Sequence, residues 1–143
     1  MQPAKSSGST GLIEGRLTMS PTSFSIDAFL ASEKPWKYLD ESGFEGPDWR
    51  LTETQLGAVR AALPEMGWSH LAMALVLAER HAPRSFADQA AGLLGHPSMS
   101  VRINAYRVLR AVPRGEIDDV LEEAVNAGLT RCPERADFKD ALA

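Results

Sequence analysis

Cysteine is almost missing from this sequence: Cys132 is the only one in 143 residues. That excludes an intrachain disulfide and a zinc site built of cysteines. It makes a reducing compartment the natural setting, so a cytoplasmic location is expected. No run approaches the roughly 18 apolar residues needed to span a bilayer, and no membrane association is expected. The most apolar stretch, Leu71 to Ala78, reads as a buried helix. No segment joins a basic start, an apolar centre and a small-residue cleavage site, so no secretory signal is read. Sustained period-two alternation is also missing, which points away from strands and to an all-α class.

The motifs of chemistry are as scarce. There is no phosphate loop, nucleophile elbow or dinucleotide fingerprint, and no cofactor is expected. His70 and His81 stand eleven residues apart, about 16 Å along a helix, and so cannot share an ion through it. His96 stands alone and reads as a turn or helix-end residue. Without a His-x-x-x-His pair, a Cys-x-x-Cys pair or a His/Glu cluster, no metal site is expected. Cys132 has Arg131 beside it but no identifiable base, so it reads as an unreactive thiol. Asp118, Asp119, Glu122 and Glu123 suit a solvated helix face near a helix start. No catalytic residues are assigned, and an enzyme is not expected.

What is present is helix signal. Apolar residues make up 44% of the chain, enough for a core. Residues 1–18 stand apart. Ser6-Ser7-Gly8-Ser9-Thr10-Gly11 has linker composition, and Ile13-Glu14-Gly15-Arg16 resembles the cleavage sequence of the coagulation protease factor Xa. This stretch is read as an added flexible leader, or else a natural disordered extension, with Met19 the expected start and residues 19–143 a single domain. Ser23 to Ala31 reads as a first short helix. Lys34 to Arg50, with Pro35, Gly43, Gly46 and Pro47, reads as a loop carrying Trp36, Tyr38, Phe44 and Trp49. Thr52 with Gln55 forms a capping box ahead of Leu56, Val59, Ala62 and Leu63. Further helices are expected from Ser69 to His81, from Ser85 to Gly95, from Ser98 to Val112 and from Ile117 to Gly128. A short one begins at Glu134.

A thirty-residue shift lays Leu71–Arg84 over Val101–Arg114. It matches Arg80 with Arg110, Pro83 with Pro113 and Arg84 with Arg114. Each unit is a helix, a Pro-Arg turn and a second helix. Such a unit cannot bury its apolar stripe alone and needs a stacked neighbour; chance similarity of two amphipathic helices is the competing account. The stretch Leu93-Leu94-Gly95-His96-Pro97-Ser98-Met99-Ser100-Val101-Arg102-Ile103-Asn104-Ala105-Tyr106-Arg107-Val108-Leu109 resembles a HEAT-type repeat. It is similar to the short variety of bilin-lyase-like HEAT proteins, with His96 in place of the usual Asp. The clear match runs from Phe86 to Val125, with a weaker copy from Thr52 to His81 and the C-terminal helix as a half-repeat cap. The resemblance implies a short right-handed solenoid of stacked antiparallel helical hairpins. It also implies that Arg102 is a structural arginine bonded to an adjacent repeat.

Charge is uneven. Met19 to Arg50 carries a net −3, Leu51 to Gly115 +3, and Glu116 to Ala143 −5. On the helix after Ser98, with Val101 at the buried centre, Met99, Ile103, Tyr106, Arg107 and Arg110 fall on the far side. Tyrosine and arginine among apolar residues have the make-up of an interaction hot spot; packing on a neighbouring helix explains Ile103 and Tyr106 equally well. The aromatic segment from Trp36 to Trp49 holds too much apolar area to leave in water. It reads as a cap on the first repeat, or else as a partner contact. The candidate partner-binding residues are therefore Met99, Ile103, Tyr106, Arg107, Arg110, Arg114, Trp36 and Trp49. The expected function is a non-catalytic protein-binding module: an adaptor, an inhibitor or a bacterial immunity protein whose acidic surface suits a cationic partner. The alternative is a HEAT-like nucleic-acid binder using Arg80, Arg84, Arg107, Arg110 and Arg114. A net charge of −4 without a Lys/Arg-rich run argues against it. A lyase role rests on the bilin-lyase resemblance alone.

Overall fold

The computed structural model describes residues 24–43 and 50–142. Among them the chain is all-helical, with seven α-helices, four short 3-10 turns and no strand. It divides into two compact units, Met1–Gln55 and Leu56–Ala143. No helix of the described residues is long and apolar enough to cross a membrane.

In the first unit, Ser25 takes an extended backbone and its hydroxyl accepts from the Ala28 N–H at 3.2 Å, starting α1 (Ile26–Ala31). The expected loop from Lys34 is corrected in its first half. Pro35–Glu41 forms helix α2, with the proline in its first turn. Proline lacks the N–H that a first-turn residue has no use for, so here it starts a helix instead of breaking the chain. Three rings then make the local core. Phe24, Phe29 and Tyr38 have centroids 5.8 to 6.2 Å apart, in tilted and edge-on contacts. The Tyr38 hydroxyl accepts from the Ser25 N–H at 2.8 Å, which ties α2 to the start of α1. The capping box forms as its residue types require: the Thr52 N–H donates to Gln55 Oε1 at 2.8 Å and the Gln55 N–H to Thr52 Oγ1 at 3.1 Å. It opens α3 (Glu53–Ala62), within which the unit boundary falls.

The second unit holds α4 (Trp68–His81), α5 (Ala87–Gly92), α6 (Met99–Arg110) and α7 (Asp119–Leu129). Helix α4 packs mainly on α6, and α5 packs on both α7 and α6. Leu71, Ala72, Ala74, Leu75, Leu77 and Ala78 of α4 are all buried. Asp118 caps α7 by accepting from the Leu121 N–H at 2.8 Å. That bond, ahead of the nearby Arg84, holds its carboxyl below the usual carboxylate range.

Four readings of helix ends need correction. Gly67, not Ser69, is the N-cap of α4, and Ser69 lies inside the helix. Ser98 is the N-cap of α6 without a side-chain capping bond; its N–H donates instead to His96 Nδ1 at 2.9 Å. Gly128 does not close α7 but sits buried within it. A β-carbon there would collide with the Ala91 carbonyl oxygen of α5, so this glycine lets two helices approach closely. The expected C-terminal helix is absent as a helix: from Glu134 to Leu142 the chain runs through successive turns, with the Phe138 N–H bonded to the Glu134 carbonyl at 3.0 Å.

Candidate functional site

Helix α6 divides by azimuth. Val101, Ala105, Val108 and Leu109 are fully buried, while Met99, Arg107 and Arg110 are exposed. Arg102 lies among the buried positions with only 8% of its surface exposed. Burying a guanidinium is costly unless its donors are satisfied and its charge is paired, and here both are done. Its Nε and Nη2 donate to the two oxygens of Glu134 at 2.7 and 2.8 Å. Its Nη1 donates to the His96 and Pro97 carbonyls at 2.8 and 3.0 Å. One side chain thus ties the turn before α6 to the segment after α7. These bonds from Arg102 hold the Glu134 carboxyl below the usual range.

Two further residues of α6 meet the same segment. Tyr106 is half-buried, and its ring stacks on Phe138 with centroids 4.3 Å apart and planes 9° from parallel. Its hydroxyl lies 2.8 Å from Asp140 Oδ1. Arg110 donates to the same hydroxyl at 3.0 Å and to Asp140 Oδ2 at 2.6 Å. Residues 102, 106 and 110 are spaced one helical turn apart and form a single stripe. Their partners, Glu134, Phe138 and Asp140, follow in the same chain order.

Of the sequence-selected residues, the structure brings Tyr106 and Arg110 together. Met99 is 56% exposed at the first position of α6, Arg107 is exposed further along it, and Ile103 is half-buried. Arg114 is exposed in the turn before α7. Trp36, 53% exposed on α2, belongs to the first unit. Trp49 lies outside the described residues, as does Phe44. The arginine group does not present a common free face. Arg84 donates to the Glu116 carbonyl at 3.0 Å and pairs with Asp118 at 3.3 Å, and Arg110 is engaged by Asp140. Cys132 is buried, and burial pushes its thiol pKa up, away from the thiolate a nucleophile needs. Its Sγ lies 3.6 Å from Glu134 Oε1. Among the described residues no group of three or more His, Cys, Asp or Glu side chains is placed to hold a metal ion.

Sequence reasoning missed Glu134, Phe138 and Asp140 as partners of α6, and also Trp68, which is 58% exposed at the first position of α4. A usable signal existed for the first three. They follow Arg102, Tyr106 and Arg110 by 30 to 34 residues, close to the repeat spacing.

Compared with protein-family models, with curated proteins and with solved structures, the chain matches none of them.

Proposed function

We propose that the chain is a non-catalytic protein-binding module of HEAT-like character. Its second unit would be a short right-handed solenoid of stacked hairpins, working in the cytoplasm as an adaptor or as an immunity-type inhibitor. The observation that carries this reading is the make-up of α6. One rigid helix, buried along one side, presents Met99 and Arg107 to solvent beside a half-buried Ile103. Exposed methionine and arginine around an apolar patch are residue types enriched where proteins meet. In support, α4 packs on α6 and α5 on α7, helices of like position in successive sequence units.

Affinity capture with the intact chain, repeated with Met99→Asp and Arg107→Glu, tests the reading. A partner retained by the parent protein is expected to be lost with both variants while their helical circular dichroism is unchanged. Arg107 and Arg114, exposed and without an ion pair among the described residues, keep nucleic acid as the opposing account. Micromolar binding to random duplex DNA near physiological salt, lost in Arg107→Ala/Arg114→Ala, would overturn the protein-binding reading.

A further inference from the structure

The stripe Arg102–Tyr106–Arg110 is occupied by the chain's own C-terminal segment through side-chain functions alone. A buried guanidinium grips a carboxylate with two bonds, a tyrosine ring takes a phenylalanine face, and a tyrosine–arginine pair holds a second carboxylate. None of these contacts depends on the covalent link to α7. The segment has no regular helix of its own, and its last anchor is an ion pair with both side chains 47% exposed. Exposed pairs of this kind hold weakly and are screened by salt, so Asp140 yields before Phe138 and Ala141, which are buried.

We infer that this flank of α6 is a recognition site for a protein segment of the pattern Glu-x-x-x-Phe-x-Asp, and that residues 134–140 fill it in cis as an internal competitor. The inference rests on the protein-binding reading and names the partner chemistry: an acidic segment with a central phenylalanine. A tethered segment competes at an effective concentration of order millimolar. A partner therefore displaces it only with help from contacts outside the stripe, and Met99 and Arg107 are exposed on the same helix to supply them. The internal segment would then select against short or weakly matching sequences.

The test uses the full chain and a fluorescent peptide of residues 133–142, followed by anisotropy near physiological salt. Wild-type protein is expected to bind it poorly. Phe138→Ala/Asp140→Asn, which loosens the internal segment and leaves the stripe intact, is expected to bind at least about tenfold more tightly. Arg110→Gln added to that variant should abolish the gain, as should replacing Phe by Ala in the peptide. If Phe138→Ala proves unfolded by circular dichroism, Asp140→Asn alone carries the experiment, because it leaves the ring stack in place. Equal, weak binding by the wild-type and loosened chains, both folded, overturns the inference. So does a concentration-dependent dimer of the wild-type chain that Phe138→Ala abolishes, since the occupant would then be a second copy's segment. Loss of partner capture in Met99→Asp together with failure of the peptide arm sinks this inference and leaves the binding-module reading standing. Peptide binding without any captured partner does the reverse.

Discussion

Helices α4 and α6 of the second unit pack on each other and differ in what holds them. Helix α4 is buried along most of its surface by small and medium apolar side chains, from Leu71 to Ala78. Helix α6 buries a narrower stripe and completes itself with polar links: Arg102 to Glu134, Tyr106 and Arg110 to Asp140. A helix flanked by helices can rely on apolar area. One flanked by an irregular segment must also satisfy exposed backbone and charged groups, and directional bonds do that.

The sharpest way to break this contrast is Leu75→Ala. Leu75 is fully buried in the middle of α4. Its truncation is expected to cost about 2–5 kcal/mol, because the surrounding helices close only partly over the lost volume. Chemical denaturation measures it. A loss under about 1 kcal/mol would mean that α4 is peripheral and that the two helices do not differ as described.

The second test concerns the approach of α7 to α5. In an open helix, glycine to alanine stabilises by up to about 1 kcal/mol. Gly57 in α3, where an added β-carbon meets nothing, should follow that rule. Gly128→Ala should do the opposite and lose about 1–3 kcal/mol, since its β-carbon is aimed at the Ala91 carbonyl and backbone must move. The same melting experiment on both variants reads opposite signs. Two stabilised variants would show that the helices are not in close contact.

The helices legible in the sequence were those whose apolar period and terminal residues agreed. The capping box at Thr52 and Gln55 and the run from Leu71 to Ala78 are examples. The all-helical class followed from them. What stayed hidden depended on partners distant in the chain. Gly128 looks like a helix stop until Ala91 is known to lie against it. Pro35 reads equally as a break and as a first-turn residue, because both uses exploit its missing N–H. Tyr106 could be placed opposite Val101 on α6 from spacing alone. Its cover could not, because Glu134 to Leu142 lacks the periodicity that marks a packed element. On the repeat resemblance, Arg102 is expected to bond an adjacent repeat. Its guanidinium instead meets Glu134, in a segment of turns, and the His96 and Pro97 carbonyls of the turn before its own helix.

A third test asks whether the polar links of α6 depend on ionisation. The Glu134 carboxyl is held below its ordinary value in the folded protein, chiefly by its bonds from Arg102. Its contribution is therefore present above the unfolded carboxylate pKa of about 4.3 and lost as pH falls through the lower folded value. Glu134→Gln is expected to lower the melting temperature by several degrees at pH 7. The gap from wild type should hold down to about pH 5 and close below about pH 4. A gap constant down to pH 3 would mean that the amide merely disturbs packing, and that the carboxylate's charge is immaterial.

The smallest effect belongs to Arg84, which links the turn before α5 to the start of α7. Arg84 resembles Arg102 in reach: it too bonds a carboxylate more than thirty residues on, at Asp118, and also a carbonyl, at Glu116. The setting differs. The Arg84 side chain is a third exposed and that of Asp118 more than half, against 10% and 21% for Arg102 and Glu134. Water competes for every bond that Arg84 makes, and ordering two exposed side chains offsets much of the attraction. Asp118 also keeps its capping bond to Leu121 whether or not the arginine is there. Arg84→Ala is accordingly expected to move the melting temperature by no more than about 3 °C, with the difference shrinking as salt is raised. A larger, salt-insensitive loss would show that Arg84 clamps the start of α7 as Arg102 clamps the C-terminal segment. The contrast between an apolar α4 and a polar α6 as the place where such links matter would then fail.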